Sequence, residues 1–239
     1  MTDRAPPADL IVTSSGRILS TLNWLRAGVL GANDGVVSTA AIIFGVAGAS
    51  ATHATIMLAG IAAVAAGALS MAAGEYVSVS TQRDLEVSEL ARQKADIERD
   101  PEREVQQLAR LFEQRGVEPE LASEVSRQMS AKDALSVHAR AELGIDPEAV
   151  TNPWAAAFAS LVAFTVGGLI PILAILLSPG PAEIWVSGAA VIVAMALTGA
   201  VSARLAQIPV SPSVFRNVVG GLLAMAVTYG VGHLAGTSL

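Results

Sequence analysis

Residues 26–49, "RAGVLGANDGVVSTAAIIFGVAGA", decide the fold, because this stretch is long and apolar enough to cross a bilayer. A transmembrane helix needs about 20 mostly apolar residues at a rise of ~1.5 Å each. Asp34 is the only charged residue between Ala27 and Ala49. The stretch therefore predicts a membrane-spanning helix, and the presence of a carboxylate inside it has to be explained.

The rest of the chain contains further long apolar stretches. Of the 239 residues, 52% are hydrophobic and only 15% are charged, which is too apolar for an ordinary soluble domain. Four further membrane-spanning helices are predicted at residues 54–80, 154–178, 183–203 and 212–235. We expect an all-α membrane protein with the lipid bilayer as a partner: five transmembrane helices and a helical insert between helices 2 and 3.

The basic residues predict the orientation of the five helices. All 15 Lys and Arg fall on one side of the five-span arrangement, whereas the opposite connections, residues 50–53 and 179–182, carry none. By the positive-inside rule, the N-terminus is then cytoplasmic and the C-terminus outside. The chain also has no cysteine, so a metal site must use oxygen, imidazole or thioether donors.

Composition divides the chain into four segments. Residues 1–26 are expected to form a cytoplasmic N-terminal segment, 27–81 helices 1 and 2, 82–152 a cytoplasmic insert, and 153–239 helices 3 to 5. The insert holds 10 of the 15 basic and 16 of the 21 acidic residues, so its formal charge of −6 equals that of the whole chain. An acidic module is thus predicted to interrupt a nearly neutral membrane body.

Helical spacing places acidic side chains of the insert on shared faces. Glu89, Gln93 and Asp96 lie four and three residues apart, and His138 lies four residues before Glu142. Carboxylates with an imidazole suit a divalent cation such as Mn²⁺, Fe²⁺ or Zn²⁺. The other interpretation is a solvated helix surface, and spacing alone favours it.

Three side chains in the first two spans point to ion binding. Asp34 lies about eight residues from Arg26, and Met71 lies about nine from Ser80, which gives both a similar depth of ~12–14 Å. Glu75 follows Met71 by one helical turn. Charged residues at this depth often mark ion pathways. Alternatively, Asp34 caps a helix that begins at Gly35, and the residues alone leave the two interpretations level.

Small residues and missing motifs add two expectations. Gly31 and Gly35 form a GxxxG pair, which allows close helix approach within or between subunits; between subunits, it would bring two first helices together in a homodimer. The chain lacks a Ser/His/Asp order, an HExxH motif and a P-loop, so we expect neither an enzyme nor a prosthetic group. No nucleic-acid partner is expected.

Four stretches together resemble a known family. They are residues 26–49, "AGIAAVAAGALSMAAGEYVSVSTQRDLE" at 59–86, "HARAELG" at 138–144 and "VGGLIPIL" at 166–173. The combination is similar to the vacuolar iron transporter family, and most similar to its bacterial and nodulin-like branches. The resemblance implies a five-helix homodimer that moves Fe²⁺, and often Mn²⁺, out of the cytosol in exchange for protons.

The resemblance also implies which residues bind metal. Asp34 and Met71 occupy the positions that line the translocation path in the family, and Glu75 is added here as a hypothesis. In the insert, Asp96, Glu104 and Glu142 match three ligand positions of a cytoplasmic metal-binding domain.

The chain departs from the family pattern at several ligand positions. His138 stands where plant members have Met, and Gln93 and Gln107 stand where Glu is common. Fewer carboxylates leave less negative charge to hold a cation, so metal capture by the insert is expected to be weaker or differently selective.

We therefore expect a divalent metal/proton antiporter in the cell (inner) membrane that exports Fe²⁺ and possibly Mn²⁺. A non-transporting membrane protein that senses metal or binds partners is the alternative, in which the insert binds but nothing crosses the membrane.

Overall fold

The computed structural model describes residues 8–149, 151–178 and 180–238, with side chains described from residue 28 onward. These residues form seven α-helices: α1 Ala8–Gly48, α2 His53–Arg99, α3 Pro101–Gln114, α4 Pro119–His138, α5 Pro153–Leu177, α6 Glu183–Leu205 and α7 Val210–Ser238. A π-helical segment, Ala139–Leu143, follows α4 directly. Within the described ranges no residue lies in a β-strand, so the predicted all-α fold is confirmed.

In the described part of the chain, five helices are long and apolar enough to cross a membrane, as the sequence predicts: Gly28–Gly48 of α1, then α2, α5, α6 and α7. Helix α1 begins before the predicted first span, at Ala8, but its side chains as far as residue 27 lie outside the described part, as do residues 1–7. The predicted N-terminal segment 1–26 therefore stays a prediction.

The chain divides into two compact units, each with its own packing. The membrane unit is formed by the chain up to Tyr76 together with Trp154 onward, and the insert unit is Val77–Pro153. Helix α2 contributes to both, since it runs without a break from His53 to Arg99. This division falls close to the boundaries expected from composition, 82 and 152.

Helix α1 lies between two apolar clusters of the membrane unit. On one side, Val36 and Ala40 pack with Val191, Met195 and Met225 of α6 and α7. On the other side, Ile43 packs with residues of α2 and α5, namely Ile56, Val64, Ile172 and Ile175. A third side of α1 remains exposed along Leu30, Asp34 and Ile42, with Ser38 half-buried between them.

The small core of the insert unit includes four buried polar residues, Gln93, Glu104, Ser126 and His138. Helix α3 is capped by Asp100, which accepts a hydrogen bond from the Arg103 amide at 3.1 Å, and Pro101 is its first helical residue. Helix α4 is kinked at Asp133, where the backbone is not helical, at φ −159° and ψ 85°. Gly144 ends the π-helical segment in the left-handed conformation, at φ 68°.

Candidate metal sites

Asp34 lies inside an unbroken helix. Helix α1 passes through Asn33, Asp34 and Gly35 without interruption, so the alternative in which a turn precedes a helix beginning at Gly35 is wrong. The Asp34 side chain is exposed on the surface of the membrane unit, and its Oδ1 accepts a hydrogen bond from the Ser38 hydroxyl at 2.8 Å. The carboxylate does not cap a helix end, and ion binding at Asp34 stays a prediction.

Met71 and Glu75 lie half-buried on α2, one helical turn apart. In the described part of the chain, one group of three or more acidic and histidine side chains is close enough to hold a metal, and neither Asp34 nor Glu75 belongs to it. A single chain therefore does not complete an acidic metal site around Asp34.

The GxxxG pair does not face the surface that carries Asp34. A Cβ on Gly31 would lie 3.1 Å from the Ala163 Cβ, and one on Gly35 would overlap the Phe164 carbonyl oxygen. Both glycines thus allow α1 to pack against α5 of the same chain. The expectation that they bring two first helices together is wrong, since α5 already covers this face.

The group of three ligands lies in the insert unit. Glu104 of α3, His138 at the end of α4 and Glu142 of the π-helical segment each offer one ligand atom, and these atoms all lie within 4.8 Å of one another. His138 Nδ1 lies 2.8 Å from Glu142 Oε1, and its Nε2 lies 3.4 Å from the Ser130 hydroxyl. We call Glu104, His138 and Glu142 the insert cluster.

Local structure brings the insert cluster together. Helix α3 carries Glu104 one turn after its cap, while the π-helical segment turns Glu142 back towards His138, four residues earlier. Two amides bind the carboxylates from outside: Gln93 donates to Glu104 at 3.1 Å, and Gln107 donates to Glu142 at 2.9 Å. Gln93 and Gln107 thus neutralise no charge, but they hold the two carboxylates in place.

Burial distinguishes the insert cluster from an ordinary helix surface. Glu104 and His138 are buried, at 6% and 0% exposure. Among the described residues of this unit, Leu108 is the only large apolar side chain that is buried. Burying a carboxylate and an imidazole is costly unless they are paired or bind a metal. Imidazole nitrogen and carboxylate oxygen together suit a borderline divalent metal, so the donor set fits one.

Asp96 does not join this cluster. Its Oδ1 accepts a 2.7 Å bond from Arg99 Nη2, and Glu89 similarly pairs with Arg92 at 3.6 Å. For these two acids the solvated-surface interpretation describes the structure better. For His138 and Glu142 it does not, because the i, i+4 pair lies within the core of the unit.

A polar cluster in the membrane unit was not anticipated. Asn33, Thr198 and Asn217 come from three different helices and hydrogen-bond to one another. The only sequence signal for it is that each is a polar residue within an apolar span, and separations of 165 and 184 residues give no spacing to recognise.

Known proteins are similar to this chain over most of its length. A sequence model described as the VIT family matches residues 25–233. The chain belongs to the VIT family. It is 43% identical to a protein named vacuolar iron transporter from Acanthamoeba castellanii, over 92% of this chain and 81% of that protein.

Plant members of the VIT family are also similar. The chain is 34% identical to vacuolar iron transporter homolog 4 of Arabidopsis thaliana, over 90% of this chain and 85% of the plant protein. It is 36% identical to vacuolar iron transporter homolog 1 of Oryza sativa subsp. japonica, over 89% of this chain and 74% of that protein. The similarity to the VIT family thus extends through both compact units.

Proposed function

We propose that this chain transports Fe²⁺, and Mn²⁺ as a second substrate, out of the cytoplasm in exchange for protons. The observation that carries the proposal is Asp34, a carboxylate inside an unbroken membrane-spanning helix with its side chain exposed. Membership of the VIT family, whose matched relatives are named as iron transporters, supports the choice of metal.

The transport site is proposed to form between two copies of the chain. A carboxylate that faced lipid would be costly, so the exposed stripe of Leu30, Asp34 and Ile42 requires a cover. A second copy would supply a second Asp34 and add Met71 donors on the same two-fold axis. Two carboxylates and two thioethers give a donor set that accepts Fe²⁺ or Mn²⁺.

Protons would compete with the metal at the same oxygens. A carboxylate binds either a cation or a proton, so protonation of Asp34 from the outer side releases the metal there. In this scheme the insert cluster collects metal from the cytoplasm, and Glu75, one turn from Met71, passes it to the central site. We also propose that the chain lies in the cell (inner) membrane with its N-terminus in the cytoplasm.

Flux measurements on the purified full chain in proteoliposomes test the proposal. Asp34→Asn is expected to lower Fe²⁺ flux by more than about tenfold, because it removes the charge while keeping the shape of the side chain. Normal flux in this variant would contradict the assigned role of Asp34.

Glu124→Gln on α4 is the matched control for an acid-to-amide change. A hydrogen bond from Gln128 and then the positive charge of Arg127 hold the pKa of the Glu124 carboxyl below its usual range, so the control also removes a real charge. Its flux should equal that of the unaltered chain. Metal binding that depends on Glu104 and Glu142, without flux under any pH gradient, would instead favour the metal-sensing alternative.

A further inference from the structure

A hydrogen-bonded cluster joins α1 to α6 and α7 directly beside Asp34. Asn33 Oδ1 accepts from the Thr198 hydroxyl and from the Asn217 amide, both at 3.0 Å. The Asn217 amide also donates to the Met195 carbonyl oxygen at 3.3 Å. All three side chains of the cluster are half-buried. In hydrocarbon such groups must find partners within the protein, and here they find one another.

The contacts of α1 fix which way Asp34 points. Successive residues of an α-helix are turned by about 100°, so Asn33 and Gly35 lie about 200° apart, with Asp34 between them. Asn33 contacts α6 and α7, and Gly35 packs against α5. Asp34 therefore lies on the side of α1 that faces away from both contacts.

Apolar packing alone would hold α1 in place but fix its rotation less firmly. Val36 and Ala40 contact α6 and α7 through Val191 and Met195, and contacts between such side chains have no required direction. Hydrogen bonds do have one, and they weaken steeply as the donor angle bends. Two donors from different helices that converge on one oxygen constrain the rotation of α1 from both sides.

We propose that Asn33 is a positioning residue, through which Thr198 and Asn217 fix the rotation of α1 and aim Asp34 at the metal path. The inference rests on the proposed role of Asp34 as a metal ligand. It assigns Asn33 no contact with the metal, since its oxygen already accepts two hydrogen bonds.

The absence of cysteine allows the rotation to be measured directly. Single Ser38→Cys and Val37→Cys variants report on neighbouring directions around α1: Ser38 bonds to Asp34, whereas Val37 packs towards the α6 and α7 cluster. The ratio of their labelling rates with a methanethiosulfonate reagent, measured on the full chain in membranes, follows the rotation of α1.

Thr198→Val is the decisive variant, because it removes the hydroxyl and keeps the volume, while Thr198→Ser keeps the hydroxyl. We expect Thr198→Val to lower the labelling ratio of position 38 to 37 by about threefold to tenfold, and to raise the KM for Fe²⁺ by a similar factor. Thr198→Ser should leave both unchanged. Asn217→Leu, a second variant that removes the other donor, should act in the same direction as Thr198→Val.

Three outcomes overturn the inference: an unchanged labelling ratio, a changed ratio with an unchanged KM, or an equal loss of flux from Thr198→Val in the Asp34→Asn background. Failure of the proposed function looks different. In that case Asp34→Asn leaves flux normal, while Thr198→Val still changes the labelling ratio.

Discussion

At the residue scale, amide side chains hold the two carboxylates of the insert cluster, for which we propose a role in metal binding. Gln93 donates a hydrogen bond to Glu104, and Gln107 donates one to Glu142. The metal-free cluster is therefore stabilised by hydrogen bonds to its acids, where a cluster of four acids would repel itself.

A substitution within the insert cluster and one beside it should change the affinity for metal in opposite directions. Glu142→Gln removes a ligand charge and is expected to weaken Fe²⁺ or Mn²⁺ binding to the full chain on the order of tenfold or more. Gln107→Glu adds a charge beside Glu142, so it should tighten binding while lowering the melting temperature without metal. Isothermal titration and thermal unfolding measure both effects.

Gln128→Glu is the control for an added carboxylate on the same unit, because Gln128 contacts Glu124 outside the insert cluster. It should leave metal affinity unchanged. If Gln107→Glu weakened metal binding, the assignment of Gln107 to the surroundings of the site would be wrong.

At the element scale, glycines decide how closely α1 packs within the membrane unit. A Cβ on Gly35 would overlap the Phe164 carbonyl oxygen, and one on Gly167 of α5 would overlap the Ala32 carbonyl oxygen from the other side. The close approach of α1 and α5 thus depends on small residues in both helices.

Gly35→Ala is therefore expected to destabilise the protein by about 1–3 kcal/mol, since α1 and α5 must move apart to admit the methyl group. Gly28→Ala in the same helix is the control, because a Cβ there has nothing within 4 Å. Thermal unfolding in detergent compares the two. Equal melting temperatures would show that the contact with α5 is not as tight as described.

At the scale of the whole molecule, the exposed stripe on α1 is the surface at which we propose that two copies meet. Leu30, Asp34, Ser38 and Ile42 follow at intervals of four residues, so they line one side of the helix for three turns. This stripe, not the GxxxG pair, is the surface available for a second α1 helix.

A Ser38→Cys variant should consequently form a disulfide-linked dimer in membranes under mild oxidation, because two copies of the residue would lie near the two-fold axis. Leu197→Cys on α6, a side chain 62% exposed elsewhere on the unit, should not. Gel electrophoresis without reductant distinguishes the two. Cross-linking through position 197 instead would place the interface on α6 and contradict the dimer proposed here.

Much of this protein was determined by the sequence itself. Long apolar runs need helices in lipid, because only a helix satisfies every backbone group within one segment, so the five spans and the polar insert could be predicted. The capping of α3 at Asp100 and the pairing of His138 with Glu142 also follow from short spacings along the chain.

Tertiary structure decided the rest, since contacts between distant segments leave no periodic signal. From the sequence, Asp34 could equally be a helix cap or an ion ligand, and only the unbroken helix α1 excluded the helix cap. It suggested that Gly31 and Gly35 faced a second copy, whereas packing against α5 turned them inward. Which face of a helix is covered depends on the helices that surround it, and for α1 these include α6 and α7, whose contacts with Asn33 span 165 and 184 residues of the chain.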